Sequence, residues 1–342
     1  MKFKFAATGV GSVPWVNVEE SCRLILEQLP DMPFWPQLVN LSPLEDMIPQ
    51  FSEGLPGIRT NIEGRKVFVA AEALEDEMAL FYEKFLADDL DAFALGPDRA
   101  RGLYALLDLI EKSPPSGRHF IKGQSVGPIT FASSVSLEDG RYLLHDPGLL
   151  DAVIKGLSIK LLWQAKVLGR TGRRPILFID EPALSGIGSA FSSIDRAIVV
   201  QALREMIEYC RDRSDALIGV HCCANTDWPA IFESGPDILN FDAYDFMDSF
   251  LLYPEEASRF LEAGGTIAWG IVPTTAFDSE TTVDSLQELL ERGLRQLADH
   301  GLNEDDLRAR SMITSACGMG GMPEESAEQL LRVLSELGRR MH

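Results

Sequence analysis

Short apolar runs alternate with longer amphipathic stretches along the whole chain, and this alternation constrains the fold more than any other feature. Strands that alternate with helices pair in parallel through helical crossovers, so eight repeats predict an α/β protein built as an eight-stranded (β/α)8 TIM barrel. The eight strand-like runs cover residues 5–10, 67–71, 120–122, 176–179, 217–220, 238–241, 267–271 and 312–315.

The helical stretches carry recognisable start and stop signals. Asn17 precedes Glu19 and Glu20, which is the pattern of a helix N-terminus, and an apolar stripe follows. Thr282 precedes a leucine-rich helical stretch that should end near Gly301. These signals support helices between the predicted strands.

The chain is best interpreted as one domain, residues 1–342, because no low-complexity linker divides it. A doubly wound dinucleotide fold would require Gly-x-Gly-x-x-Gly after the first strand, but Gly9-Val10-Gly11 continues without the third glycine. A proline-rich stretch at about 30–60 predicts an insertion after the first helix. Its apolar anchors would be Phe34, Trp35, Leu38 and Phe51.

Composition excludes several classes of partner. The formal net charge of −21 disfavours binding to nucleic acid and to anionic membranes, which depends on basic patches. No apolar run approaches the roughly 18 residues that a membrane span requires, and the N-terminus does not resemble a signal peptide. Five cysteines, an odd number in a large chain, argue against a disulfide framework, so we expect a cytoplasmic protein.

Polar residues follow nearly all of the predicted strands. In TIM barrels the active site lies at the carboxyl ends of the strands, so these side chains should surround one pocket. In strand order they are Ser12, Glu72, Gln124 with Ser125, Asp180 with Glu181, His221 to Cys223, Asp242 and Cys317.

His221 and Cys223 are the most informative members of this ring. Side chains at i and i+2 of a strand share a face, so these two can converge while Cys222 points away. Imidazole and thiolates together select zinc, and Cys317 at another strand end could join them. The alternative is that the thiols only fill space in the core.

At these residues the chain resembles the catalytic barrel of the cobalamin-independent methionine synthases. The matching segments occur in the family's order and cover nearly the whole chain. They are Thr8-Gly9-Val10-Gly11-Ser12, Gly127-Pro128-Ile129-Thr130, Ile179-Asp180-Glu181-Pro182-Ala183-Leu184, His221-Cys222-Cys223 and Ala316-Cys317-Gly318.

The resemblance implies a Zn²⁺ ion held by His221, Cys223, Cys317 and the residue at the family's glutamate position. That position holds Asp242, which is one methylene shorter, and Asp245 is a possible substitute. The resemblance also implies which groups bind substrate and act in catalysis. Ser12 would bind the substrate carboxylate, Asp180 and Glu72 would meet its ammonium group, and Asp180 with Glu181 are the candidate catalytic residues.

The implied activity is methyl transfer to a thiol, with homocysteine as the acceptor. A free thiol is mostly protonated at neutral pH, whereas zinc coordination gives a thiolate that can attack a methyl group. The chain begins at the catalytic barrel, without the N-terminal half that helps long family members bind a folate. We therefore expect a methylcorrinoid donor, free or on a partner protein, since no Asp-x-His-x-x-Gly signature is present.

Three alternatives remain open. The acceptor could be another thiol such as coenzyme M. The protein could be a lyase similar to uroporphyrinogen decarboxylase, which belongs to the same superfamily. Such a lyase would need an arginine-rich opening loop, but Arg23 is the only arginine in residues 9–37. A non-catalytic accessory protein could keep the zinc barrel, and Asp242 in place of glutamate leaves that possibility open.

Overall fold

The computed structural model describes residues 2–64, 66–112, 120–185 and 194–342, and it has an α/β architecture. The strands are β1 (Ala6–Thr8), β2 (Ile58–Asn61), β3 (Lys66–Val69), β4 (Phe120–Val126), β5 (Arg174–Asp180), β6 (Leu217–Cys222), β7 (Ile238–Asp242), β8 (Thr266–Val272) and β9 (Ser311–Ser315). The α-helices are α1 (Val18–Gln28), α2 (Met47–Phe51), α3 (Leu74–Leu86), α4 (Arg101–Lys112), α5 (Pro128–Ser134), α6 (Pro147–Gly169), α7 (Arg196–Arg211), α8 (Trp228–Ser234), α9 (Met247–Phe250), α10 (Pro254–Glu262), α11 (Val283–Asp299), α12 (Glu304–Ala309) and α13 (Glu324–Met341).

The described strands form one curled sheet of seven parallel strands and one small antiparallel sheet. The order in the large sheet is β1-β9-β8-β7-β6-β5-β4, so most neighbours in space are also neighbours in sequence. Helices connect the parallel strands, which is the arrangement expected of a TIM barrel. Seven of the eight predicted runs fall in this sheet.

The eighth predicted run, residues 67–71, was wrongly assigned to the barrel. Its strand β3 pairs antiparallel with β2, with Ile58 opposite Val69 and Asn61 opposite Lys66. The physical reason is a local turn: the Asn61 side chain accepts a hydrogen bond from the Gly64 N–H at 2.9 Å, which reverses the chain. The run therefore finds its partner in the preceding residues instead of in the parallel sheet.

Residues 34–37 lie between the two edges of the parallel sheet, next to β1 on one side and β4 on the other. Single parallel bridges pair Phe34 with Lys122 and Gln37 with Ser12. The Trp35 N–H donates to the Lys122 carbonyl at 3.2 Å, and the Gln37 N–H donates to the Gly11 carbonyl at 3.0 Å. Part of the predicted insertion thus occupies the position between β1 and β4 where an eighth parallel strand would lie. A complete eight-stranded barrel remains a prediction.

The helix signals in the sequence are confirmed where they can be compared. Asn17 is the N-cap of α1 and accepts from the Glu20 N–H, and Thr282 caps α11 in a reciprocal pair with Ser285. The chain leaves α11 through Gly301, whose φ of +95° suits glycine. No described helix is both long enough and apolar enough to span a membrane.

Helix α6 packs most of its surface against other parts of the protein and includes a buried cation. The Lys160 side chain is fully buried, and its Nζ donates to the Phe93 carbonyl at 3.4 Å. Burial lowers the pKa of Lys160 to about 8. Burial of this ammonium group therefore lowers the free energy of unfolding.

Inside the curled sheet, an apolar layer lies below a polar one. The apolar cluster includes Ile176, Phe178, Ile238, Ala268 and Met312, which come from four strands of the parallel sheet, β5, β7, β8 and β9. Because side chains alternate along a strand, the next inward positions carry the polar layer. These positions are Asp180, Asn240 and Thr314, and all three are buried.

Candidate metal centre

Three side chains converge at the carboxyl ends of β6 and β9. One ligand atom from each of His221, Cys223 and Cys317 lies within 4.8 Å of the other two, the only such group among the described residues. His221 belongs to β6, Cys223 follows it directly, and Cys317 lies two residues after β9. An imidazole and two thiols at this spacing fit the ligand chemistry of zinc.

Cys222, between His221 and Cys223, takes no part in this group. Its side chain is only 1% exposed, it packs in the apolar core, and its thiol donates to the Ala224 carbonyl at 3.5 Å. Burial raises the pKa of Cys222 to about 12. Strand alternation thus separates a buried thiol from the two groups that face the cavity.

The two converging thiols do not share the same protonation preference. A hydrogen bond from Cys223, with a further contribution from His221, lowers the pKa of Cys317 below its ordinary value. The same hydrogen bond raises the pKa of Cys223 above its ordinary value. These opposite shifts favour the thiolate form at Cys317, and the thiolate is the form of cysteine that binds a metal.

The His221 ring is hydrogen-bonded to Asn240, a residue that was not among the predicted site residues. The His221 Nδ1 and the Asn240 Oδ1 are 2.6 Å apart, and the two residues are direct partners across β6 and β7. The only signal in the sequence was a polar residue within the apolar run 238–241, two positions before Asp242 and hence on the same face.

Asp242, the predicted fourth ligand, lies outside the group of three. Its Oδ1 accepts hydrogen bonds from the backbone N–H groups of Tyr244 and Asp245, both at 3.0 Å. Burial raises the pKa of Asp242 to about 6. Asp245, the suggested substitute, is exposed, and its backbone N–H donates to Asp242 in this turn.

The three converging residues open onto a cavity of about 420 Å³ that also contains Ser12 and Asp180. Asp180 is 3% exposed, and its Oδ1 has no hydrogen-bond partner within the described residues. Burial raises the pKa of Asp180 to about 6, although His221 and Lys122 favour its charged form. An unpartnered buried carboxylate oxygen beside a cavity is suited to receive a cationic group.

Ser12 faces the cavity across a glycine-rich loop, residues 318–321. Its hydroxyl accepts from the Gly320 N–H at 3.3 Å, and its carbonyl accepts from the Met319 N–H at 2.8 Å. A Cβ added at Gly318 would lie 2.1 Å from the Ser12 Oγ. The glycines therefore allow the loop that follows Cys317 to approach the end of β1 closely.

Glu181, predicted to be catalytic, does not line this cavity. Its carboxylate accepts three hydrogen bonds at the start of α5: from the Ile129 N–H at 2.9 Å, the Thr130 N–H at 2.7 Å and the Thr130 hydroxyl at 2.6 Å. Burial raises the pKa of Glu181 to about 7, against the effect of these donors. The contacts make Glu181 a support for the segment that carries Asp180.

Glu72 is not brought to the cavity either. It follows β3 of the antiparallel sheet, its side chain is exposed, and its charge acts on Arg59. The strand-end argument that placed it in the ring fails because β3 is not a strand of the parallel sheet. Its role in binding the substrate is therefore not supported by its position.

Gln124 and Ser125, also in the predicted ring, are buried within β4. The Gln124 Nε2 donates to the Trp35 carbonyl at 3.1 Å, and the Ser125 hydroxyl donates to the Val126 carbonyl at 3.1 Å. Lys122, on the same strand, donates to the Val10 carbonyl and to the Gln124 Oε1. These residues stabilise the interior beneath the cavity.

Comparison with known proteins gives a fold-level relationship. No family model and no curated sequence matches the chain. A B12-independent methionine synthase from Shewanella sp. W3-18-1, solved in complex with selenomethionine, matches with a TM-score of 0.61 and 16% identity, covering 98% of this chain and 97% of that one. A GH113 beta-mannanase from Alicyclobacillus acidocaldarius matches with a TM-score of 0.41 and 12% identity, covering 99% of this chain and 97% of its own.

The methionine synthase match shows that the two chains share a fold over nearly their whole lengths. The overlay on the mannanase is too poor to support any argument about function. A shared fold does not identify an activity, so the chemistry of this chain has to be argued from its own residues.

Proposed function

We propose that this protein is a zinc-dependent methyltransferase that moves a methyl group to a thiol, with homocysteine as the acceptor and methionine as the product. The observation that carries the proposal is the convergence of His221, Cys223 and Cys317 beside a cavity that Asp180 also lines, with an Oδ1 that has no hydrogen-bond partner within the described residues. The shared fold with a methionine synthase supports the proposal without identifying the substrate.

The donor set fits a catalytic zinc site. His221, Cys223 and Cys317 provide three protein ligands, and a catalytic zinc keeps one further position for water or substrate. Zinc, when bound, would hold the substrate sulfur as a thiolate at neutral pH. Two cysteine thiolates offset the charge of the ion, which favours a nucleophilic sulfur over an electrophilic metal.

The other residues of the cavity would orient an amino-acid substrate. Asp180 lines the cavity, and its Oδ1 has no hydrogen-bond partner within the described residues, so the ammonium group of homocysteine would pair with this carboxylate. Ser12 and the backbone of the 318–321 loop would meet the substrate carboxylate. Selenomethionine in the related methionine synthase is an amino acid of the size and shape of the proposed product.

The same geometry distinguishes homocysteine from coenzyme M. Coenzyme M carries a sulfonate where homocysteine carries an ammonium and a carboxylate, and the Asp180 carboxylate would repel that sulfonate. We therefore prefer an amino-acid thiol. For the donor we propose a methylcorrinoid, free or on a partner protein.

The test is metal analysis combined with a methyl-transfer assay. Purified protein should contain about one zinc per chain, and it should convert homocysteine to methionine with methylcobalamin in preference to methyl-folate. Cys223→Ser and Cys317→Ser should lose both zinc and activity, whereas the matched control Cys222→Ser should keep its zinc because that thiol lies in the core.

Each adverse outcome has a distinct meaning. Protein that cannot bind zinc after reconstitution would remove the proposal entirely. Zinc binding without transfer to homocysteine or coenzyme M from either donor would instead favour an accessory role.

A further inference from the structure

The side-chain amide of Asn240 can adopt only one orientation. Its Nδ2 donates to the Ala268 carbonyl and to the Thr314 hydroxyl, both at 2.8 Å. A carbonyl oxygen accepts hydrogen bonds and cannot donate them, so a flipped amide would place its own oxygen against that of Ala268. Both protons of the amide nitrogen are used on the β8 and β9 side, and the oxygen must face β6.

This orientation determines the tautomer of His221. The Asn240 Oδ1 is 2.6 Å from the His221 Nδ1 and can only accept, so Nδ1 must carry a proton. In a neutral imidazole the lone pair then lies on Nε2, which is the ring nitrogen left for the group formed with Cys223 and Cys317. His221 is 2% exposed, so water offers no ready substitute for this partner.

We propose that Asn240 is a positioning residue for the metal centre, holding His221 in the Nδ1–H tautomer and in the ring orientation that presents Nε2 to the ion. The proposal rests on the metal-binding part of the proposed function. It assigns a specific task to the chain of contacts from Thr314 and Ala268 through Asn240 to His221, which links four neighbouring strands.

Partners of this kind commonly change metal affinity by 10–100-fold. An Asn240→Leu variant keeps the approximate size of the side chain and removes both its donors and its acceptor. We expect its zinc affinity, measured by competition with a chromophoric chelator, to fall about 10–100-fold. Thr314→Val removes one of the two anchors of the amide and should cause a smaller loss.

Thr8→Val is the matched control. Thr8 lies opposite Thr314 across β1 and β9, is fully buried, and its hydroxyl has no hydrogen-bond partner within the described residues. The substitution is the same as that at position 314, but Thr8 is not part of the chain of hydrogen bonds that leads through Asn240 to His221. Its zinc affinity should match that of the native protein.

A second measurement does not depend on metal affinity or on the folding of Asn240→Leu. In zinc-free native protein, at an alkaline pH that leaves the imidazole neutral, ¹⁵N NMR of the histidine rings should show His221 as the Nδ1–H tautomer, with a His221→Asn variant used to identify the resonance. Thr314→Val should show a weakened preference for that tautomer.

Two results would overturn the proposal: an Nε2–H tautomer in the native protein, or folded Asn240→Leu with native zinc affinity. If the native protein binds no zinc, the proposed function fails, but the tautomer measurement still decides the role of Asn240.

Discussion

Asp242 holds a turn in this structure, although the family pattern places a metal ligand at its position. Its Oδ1 accepts from two successive backbone N–H groups, those of Tyr244 and Asp245, as carboxylates often do at the start of a turn. The side chain is shorter than glutamate by one methylene, and it does not join the three residues that converge within 4.8 Å. A metal bound by the three would therefore keep an open position.

We expect Asp242→Asn to retain about one zinc per chain. The asparagine oxygen can accept the same two backbone hydrogen bonds, so the turn is preserved while the charge is removed. Zinc content and chelator competition would measure this directly, with Cys317→Ser as the variant that loses the metal. A loss of zinc in Asp242→Asn comparable to that in Cys317→Ser would show that the carboxylate is a ligand.

Much of the site could be predicted at the residue scale because alternation along one strand is a local rule. His221 and Cys223 were placed on one face and Cys222 on the other by that rule alone. Asn240 could not be found in the same way. Its contact with His221 depends on the register between β6 and β7, which no single segment of sequence determines.

At the scale of elements, Gly127 and Glu181 join the start of α5 to the end of β5. A Cβ added at Gly127 would lie 2.1 Å from the Glu181 Cδ, so only glycine leaves room for the carboxylate at the helix N-terminus. That carboxylate satisfies backbone N–H groups of Ile129 and Thr130 that α5 cannot pair internally. The junction supports the segment bearing Asp180 without touching the cavity.

Gly127→Ala should lower the free energy of unfolding by about 1–3 kcal/mol, because the new methyl group displaces Glu181 from its donors. Chemical denaturation would measure the change. Gly169→Ala is the control, since a Cβ there meets only ordinary contacts, the nearest at 3.8 Å from Pro175. Equal stability of the two variants would mean that the Glu181 contact is not needed.

Lys160 on α6 should destabilise the protein at neutral pH. Its pKa is about 8 in the folded state and about 10.4 when unfolded, so below pH 8 both states are protonated and folding buries the charge. Lys160→Met should therefore raise the free energy of unfolding at pH 7 by about 1–3 kcal/mol.

The pH dependence of Lys160→Met provides the check. Between about pH 8 and 10.5 the unfolded native sequence keeps a proton that the folded state has released, so native stability rises with pH relative to the variant. The difference in the free energy of unfolding between Lys160→Met and the native protein should therefore shrink over this range. Lys166 is exposed on the same helix, so Lys166→Met is the control. If the gain in the free energy of unfolding of Lys160→Met stayed unchanged up to about pH 10.5, this account of Lys160 would be contradicted.

The error at residues 67–71 shows the limit of prediction for elements. The run has the composition of a strand, and it is one, but composition does not say which strand it pairs with. A hairpin turn at 61–64 gave it a nearby partner. The extended segment at 34–37 was interpreted as an insertion because proline interrupts it, although its backbone pairs with residues on both sides.

At the scale of the whole molecule, that segment joins the two edges of the curled sheet. Phe34 and Trp35 are fully buried, and the Trp35 Nε1 donates to the Gln164 Oε1 of α6 at 3.0 Å. Strand edges left unpaired inside a protein would be costly, and these contacts satisfy part of both edges. The position of Ser12 at the cavity depends on this closure, since the backbone of Gln37 is hydrogen-bonded to Gly11 and Val13 on either side of it.

Hydrogen exchange of backbone amides tests whether residues 34–37 join the two edges of the parallel sheet. The backbone amides of Trp35 and Gln37 should exchange as slowly as those of β4, because both are hydrogen-bonded to the sheet and buried. The exposed turn between β2 and β3 provides the fast reference. Exchange of Trp35 and Gln37 at the rate of that turn would show that the segment does not close the sheet.

The central claim is that the convergence of His221, Cys223 and Cys317 forms a thiol-activating zinc site, and X-ray absorption at the zinc edge tests it most directly. The reconstituted protein should show two sulfur neighbours at about 2.3 Å from zinc, and homocysteine should add a third. An unchanged sulfur count in the presence of saturating homocysteine would contradict the claim, as would a zinc environment without sulfur.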